Sequence, residues 1–181
     1  MSSLCVYHVS SPDLPNKVLT HLEDIASTLA EQGVTFNQWQ AETLIARGAS
    51  REEMIAAYRA PIDRLMTERG YATLDVVSLD GGDPQNADQR RRFLEEHYYD
   101  EDQVYFFVAG RGLFNVHIGD FVYAVSCERN DLICLPAGIR HWVDFGENPY
   151  FVTIRLRGDT PEREATFTGE PSAGQFPRLD D

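Results

Sequence analysis

Two histidines and a set of oxygen-bearing side chains at fixed spacings carry the chemistry open to this chain. His97, Tyr99 and Gln103 fall in one short run, Glu96-His97-Tyr98-Tyr99-Asp100-Glu101-Asp102-Gln103, with Gly110 further on. His141 closes a second run, Pro136-Ala137-Gly138-Ile139-Arg140-His141. Imidazole is a good ligand for divalent transition metals. A neutral carboxamide is a weak oxygen donor, and a phenol must lose a proton near pKa ~10 before it binds well. His97, Gln103 and His141 are therefore the candidate metal ligands, with Tyr99 as a phenolate or an acid beside them. If the strand is regular throughout, alternation puts His97, Tyr99, Glu101 and Gln103 on one face, and Pro136 and Gly138 supply the tight turn that aims His141 at them. Arg155 sits in an apolar run, Phe151-Val152-Thr153-Ile154-Arg155-Leu156, where an unpaired charge is costly. It reads as an anion clamp, or as an inward arginine paired with a core carboxylate. Asp100, Glu101 and Asp102 read as solvated loop charges, Arg140 as a surface residue and His117 as a structural histidine.

Those residues need a scaffold of short strands. From Val104 onward, β-rich segments 104–108, 113–118, 121–127, 132–135, 141–145 and 150–156 alternate with turn-forming chemistry at Gly110-Arg111-Gly112, Gly119-Asp120, Arg129-Asn130-Asp131 and Gly146-Glu147-Asn148-Pro149. Regular short strands with tight turns predict a closed sandwich or barrel. Ahead of them, Leu4 to Val9 reads as a strand, and Leu19, Leu22, Ile25, Ala26 and Leu29 follow at helical spacing before Gly33. Ser50 and Glu53 form a capping box for a helix running to about Glu68. Ile55, Tyr58, Ile62 and Leu65 should face inward on it, and Pro61 predicts a kink or short break. Tyr71 to Leu79 reads as a strand and Gly81-Gly82-Asp83-Pro84 as a turn. One domain is expected over 1–181: an elaboration over 1–85, a barrel core over 86–157 and a tail over 158–181 that covers the barrel.

Charge and composition exclude several partner classes. With 16 Lys and Arg against 29 Asp and Glu, the formal charge is −13, which repels phosphate backbones and anionic lipid surfaces. No nucleic-acid or membrane partner is expected. The N-terminal run lacks a positive, apolar leader and no later run is long enough to span a bilayer, so a soluble, cytoplasmic protein is expected; it is expected to be a monomer. Cys5, Cys127 and Cys134 are odd in number and lack a C-x-x-C pattern, which fits buried small hydrophobes better than a disulfide framework.

The spacing of His97, Gln103 and Gly110, and of Pro136, Gly138 and His141, resembles the two motifs of the cupin superfamily, H-x-H-x3-E-x6-G and P-x-G-x2-H. The likeness narrows to the acireductone dioxygenase family of the methionine salvage pathway. It is carried by Val34-Thr35-Phe36-Asn37-Gln38-Trp39, Ile55-Ala56-Ala57-Tyr58, Phe93-Leu94-Glu95-Glu96-His97, Phe106-Phe107-Val108 with Gly110 and Gly112, Asp131-Leu132-Ile133 and Phe167-Thr168-Gly169. The resemblance implies a mainly β fold, a cupin-type double-stranded β-barrel with two N-terminal helices. It implies one Fe(II) or Ni(II) per chain, held by three histidines and a glutamate, and cleavage of a 1,2-dihydroxy-3-keto-pentene with dioxygen. In the family the iron form yields a keto acid and formate, and the nickel form a shorter acid, formate and carbon monoxide.

Position by position, the resemblance makes His97 and His141 the first and last histidines. Tyr99 stands at the second histidine and Gln103 at the glutamate. Tyr105 stands where the family usually carries an anion-balancing arginine. Arg155 corresponds to a second pocket arginine, Phe93 to a pocket aromatic, and Val143 is a further pocket-lining position. Losing one acidic ligand and one basic neighbour together leaves the formal charge of the pocket roughly unchanged, as coordinated remodelling would. Three readings follow. A metal on His97, His141 and Gln103 serves oxidation of a small enediol or hydroxyketone. A metal-free pocket uses His97 or His141 as base and Tyr99 or Tyr105 as acid. Or the chain is a small-molecule-binding pseudoenzyme.

Overall fold

Eleven strands form among the described residues, and one of them is bent so sharply that it belongs to both faces of a barrel. The structure, a computed structural model, describes residues 1–41, 43, 45–46, 48–79, 81, 86–158 and 164–181. In chain order the elements are β1 (Ser3–His8), β2 (Lys17–Leu19), α1 (Leu22–Ala30), β3 (Thr35–Gln38), α2 (Arg51–Ala57), α3 (Arg59–Arg69), β4 (Thr73–Leu79) and α4 (Asn86–Leu94). Then follow β5 (His97–Tyr98), β6 (Gln103–Ile118), β7 (Phe121–Glu128), β8 (Asp131–Leu135), β9 (Arg140–Asp144), β10 (Phe151–Arg157) and β11 (Thr166–Phe167), with a short 3-10 turn over Pro171–Gln175.

The predicted pair of strands over 104–108 and 113–118 is one strand, β6. Its first part pairs antiparallel with β8, from Gln103↔Leu135 to Phe106↔Leu132, and on its other edge with β10. Its second part pairs with β7 and β9. The Gly110-Arg111-Gly112 run is therefore a corner within a strand. Opposite it, Val152 pairs Ala109 and Thr153 pairs Phe107, which leaves Val108 as the extra residue of a β-bulge. The bulge switches the inward parity, so Tyr105 and Phe107 before it and Phe114 and Val116 after it all enter the same interior cluster. Gly110 adopts a φ of 81°, and any Cβ there would collide with the Tyr150 carbonyl oxygen. Glycine is required at that corner for both reasons.

The second departure lies in the helices. The Ser50–Glu53 capping box forms as the sequence predicts, with the Glu53 amide donating to Ser50 Oγ at 3.1 Å. The helix then breaks at Tyr58 (φ −120°, ψ 22°), ahead of Pro61, which becomes the third residue of α3. A proline in a first helical turn lacks only an N–H that would have had no intrahelical acceptor. Ile55, Tyr58, Ile62 and Leu65 are buried as expected, against Val104, Phe106, Ile154 and Leu156 on the outer face of β6 and β10. Each such apolar side chain contributes about 1.5–3 kcal/mol by leaving water. The sequence reading held no helix over Asn86–Leu94, where α4 packs against β9 through Arg90 and Asp144. Of the predicted turn at 81–84, residues 82–84 lie outside the described residues. In the C-terminal segment, Ala173 and Phe176 bury against Trp142, Tyr7 and Val122.

Candidate active site

His97 and His141 stand directly opposite each other on β5 and β9, the single register pair of those strands, with ring centroids 4.6 Å apart. Both are almost fully buried, at 2% and 1% exposure. Each ring is held by a backbone carbonyl two residues earlier: His97 Nδ1 donates to Glu95 O at 2.7 Å and His141 Nδ1 to Ile139 O at 2.9 Å. A carbonyl only accepts, so in the neutral ring Nδ1 carries the proton and Nε2 presents a bare lone pair. His141 Nε2 is buried and meets no hydrogen-bond partner among the described residues. Burial lowers the pKa of His97 against the opposing pull of the Glu95 carbonyl and the Glu96 charge. Burial, and then the neighbouring His97, push His141 down to about 3. Both rings are neutral at physiological pH, the form that binds metal or accepts a proton.

The first motif does not lie on a regular strand. β5 stops at Tyr98, the backbone leaves the ladder through 99–102, and β6 starts at Gln103. The predicted common face of His97, Tyr99, Glu101 and Gln103 is thus corrected, because alternation ends where ladder pairing ends. Tyr99 still reaches the histidines, its ring 5.5 Å from His97 and 5.9 Å from His141. Its carbonyl accepts from Gly138 N at 2.7 Å, which ties the two motifs together. Asp102 adds a brace: one carboxylate oxygen accepts from Ala137 N and the other from the Tyr71 hydroxyl, both at 3.0 Å. It is a structural tie, and the expectation of a solvated charge fails there.

A second group forms where β6 meets β10. Arg155 pairs in register with Tyr105 and lays its guanidinium carbon 4.0 Å over that ring, a cation–π contact. Its Nη2 donates to Gln103 Oε1 at 2.7 Å, while its Nε is buried without a partner among the described residues. Gln103 and Tyr105 are themselves buried. Two of the three positions that depart from the family pattern, Gln103 and Tyr105, are therefore joined through a single arginine. Phe93 and Val143 belong to the barrel's inner apolar cluster, where Phe93 meets Phe145 edge-on at 5.7 Å. Arg140 is exposed, as read.

The sequence reading missed what stands behind the histidine pair. Glu96 is 1% exposed, and its carboxylate accepts from His117 Nδ1 at 2.7 Å and from the Thr168 hydroxyl at 2.9 Å. Phe167, on β11, lays its ring 5.7 Å from His97. The doubled acid Glu95-Glu96 was the available signal, since an acid next to an inward histidine must point away from the pocket. Two cavities flank this region, about 560 Å³ between α4 and the C-terminal segment and about 510 Å³ beside the 136–140 turn. Gln103, Tyr105 and Arg155 line neither, so the candidate chemistry sits inside the barrel and not in them.

The donor set fits a divalent metal in part. Two oriented imidazoles, with the Nε2 of His141 unpartnered among the described residues, suit iron, nickel, cobalt or zinc, whereas Gln103 offers an amide oxygen already shared with Arg155 and Tyr99 a phenol. Among the described residues no group of three or more His, Cys, Asp and Glu side chains comes together as a metal cluster.

Known proteins place this arrangement. Over the full length of both chains, the sequence is 67% identical to an acireductone dioxygenase of Pseudomonas syringae pv. syringae (strain B728a) and 65% identical to one of Pseudomonas fluorescens (strain Pf0-1). A solved acireductone dioxygenase from Bacillus anthracis, with a cadmium ion in its active centre, superposes with a TM-score of 0.74 at 25% identity. The match covers 88% of this chain and 94% of that one, and the fold is the cupin-type barrel expected. Residues 6–165 match the ARD/ARD' family, and the chain belongs to that family.

Proposed function

We propose that the protein is a metal-dependent dioxygenase of the acireductone dioxygenase type, acting with dioxygen on a small enediol or hydroxyketone. The Nε2 of His141, buried beside His97 and without a hydrogen-bond partner among the described residues, carries this reading, because a buried lone pair is costly unless a ligand completes it. One Fe(II) or Ni(II) per chain would be held by His97 and His141, with Gln103 as a weak third donor. When bound, the metal would supply Lewis-acid polarisation of the substrate oxygens and electron exchange with dioxygen.

The chain's own residues do the rest. Arg155 offers a fixed positive charge and an Nε–H that has no partner among the described residues for a substrate oxyanion, and the Tyr105 ring and Gln103 hold that guanidinium in place. Tyr99, whose ring stands beside both histidines, is the candidate to exchange a proton with a ligand there. With Tyr105 in place of a second cation, a singly charged substrate suits the pocket better than a dianion. The protein acts as a monomer in the cytoplasm, without nucleic-acid or membrane partners.

A second reading rests on the Arg155–Gln103 bond. If that guanidinium repels a cation, the barrel works without metal, with His141 as base and Tyr99 as acid, or binds a small anion without turnover. Elemental analysis of protein purified without added metal or chelator, followed by oxygen uptake with acireductone, separates the two. Near-stoichiometric iron or nickel with oxygen uptake supports the dioxygenase. Protein that stays empty after reconstitution with Fe(II) and Ni(II) overturns it in favour of the metal-free pocket.

A further inference from the structure

The strand that carries His97 is two residues long, and a strand that short cannot fix its own position. β5 shares one register pair with β9 and two with β11, and the chain on its C-terminal side leaves the ladder at once. His141, by contrast, lies within a five-residue strand that pairs along β6 from Leu113 to His117. Something other than ladder pairing must place the His97 backbone to the precision that its ring contacts require.

We infer that Glu96 is the positioning residue for His97. Donors from His117, Thr168 and Ser172 converge on it from outside the site. Its carboxylate takes His117 Nδ1 of β6 at 2.7 Å, the Thr168 hydroxyl at 2.9 Å and, more weakly, the Ser172 hydroxyl at 3.5 Å. Its main-chain carbonyl takes the Thr168 amide at 3.1 Å. β6 is the most extensively paired strand of the barrel, so the bond to His117 anchors β5 to the rigid frame. Thr168 follows Phe167, whose ring packs against His97, so the same knot sets both the backbone under His97 and one neighbour of its ring. A carboxylate with no exposed side-chain surface is costly to bury unless such donors meet it. Nothing in the reaction proposed above uses it. Outer groups of this kind hold ligating rings in their working tautomer and orientation.

The inference rests on His97 being functional, and its test separates the two claims. Nitrogen-15 NMR of the histidine rings in metal-free protein reads position directly, and Co(II) titration reads ligation. Glu96→Ala should broaden or average the His97 ring signals while those of His141 stay sharp, and should weaken Co(II) binding by about 10–100-fold, the range for lost outer-shell support. Glu96→Gln, whose amide can still accept from Thr168 and donate to His117, should recover most of both signals. Should Glu96→Ala not fold, His117→Ala and Thr168→Val each remove one arm and should perturb His97 selectively, by less. Unchanged His97 signals in these folded variants would overturn the positioning role. Wild-type protein that binds no Co(II) would instead sink the metal reading and leave the NMR result standing.

Discussion

The two motifs that meet at the histidine pair are built on opposite plans. The second, Pro136–His141, is positioned locally: a proline–glycine turn, an internal Ile139 N to Pro136 O bond and the long ladder of β9 with β6 aim His141. The first, His97–Gln103, is positioned from a distance by Glu96, by the C-terminal segment and by Asp102, with its backbone out of the ladder over 99–102. A motif held by local geometry is legible in sequence and tolerates change around it. One held by distant ties can keep its spacing while its ligands change, as Tyr99 and Gln103 do here.

The sharpest way to break this contrast uses two glycines with the same backbone. Gly110 and Gly138 both adopt a φ of 81°, but a side chain at Gly110 meets the Tyr150–Phe151 backbone, whereas one at Gly138 meets nothing within 4 Å. Gly110→Ala should cost more than about 3 kcal/mol in urea unfolding, and Gly138→Ala about 1 kcal/mol. Equal costs would mean that the corner of β6 yields. Next in size, His141→Ala should lower Co(II) affinity by about 100-fold or more, beyond what a lost outer-shell contact does. Titrations of the wild type and the variant decide it.

Acid should expose the buried pair. Between the ordinary histidine value of 6.5 and about 3, the unfolded chain takes a proton on His141 that the folded protein refuses. Stability therefore falls as pH drops through that window and is level above it. The loss attributable to His141 should approach about 2 kcal/mol between pH 7 and pH 4.5, and a His141→Gln variant should show a correspondingly flatter profile. Asp144 works in the same direction at lower pH. Burial alone would raise its carboxyl, but the Leu179 amide, Arg90 and the Gly146 amide outweigh burial and hold it below the usual range. Smallest of the set, Tyr99→His with Gln103→Glu should tighten Co(II) by about tenfold, or 1.4 kcal/mol, since an imidazole and a carboxylate replace the weaker donors. No gain would place the obstacle in Arg155, and Tyr105→Arg with a paired carboxylate at 103 would be the next variant.

Much of this was legible in the residues. Strand alternation located β7, β8, β9 and β10 to within about two residues, and the capping chemistry of Ser50 and Glu53 located the start of α2. The corner of β6 was not legible, because Gly110-Arg111-Gly112 carries turn chemistry and only the close approach of Tyr150 shows that it bends a strand without ending it. α4 escaped because Asn86–Leu94 is mostly polar and lacks a clear apolar stripe; it is fixed by Arg90 reaching Asp144. The meeting of His97 and His141 across the two motifs followed from their spacing. The bond from Arg155 to Gln103 joins strands far apart in the chain, and the one from Glu96 to His117 depends on how β6 folds back past β5; no local pattern encodes either.

β1 has a consequence for how the chain is made. It lies between β2 and β7, and its longer partner, running from Ser3↔Ser126 to His8↔Phe121, is more than a hundred residues downstream. At about 5–20 residues per second of synthesis, this apolar N-terminal strand waits roughly 6–25 s on the ribosome before its partner emerges. During that interval it has only the short, exposed β2 hairpin to shelter it. Of the described strands β1 has the longest wait for its ladder partner, and it is where nascent chains should engage a chaperone.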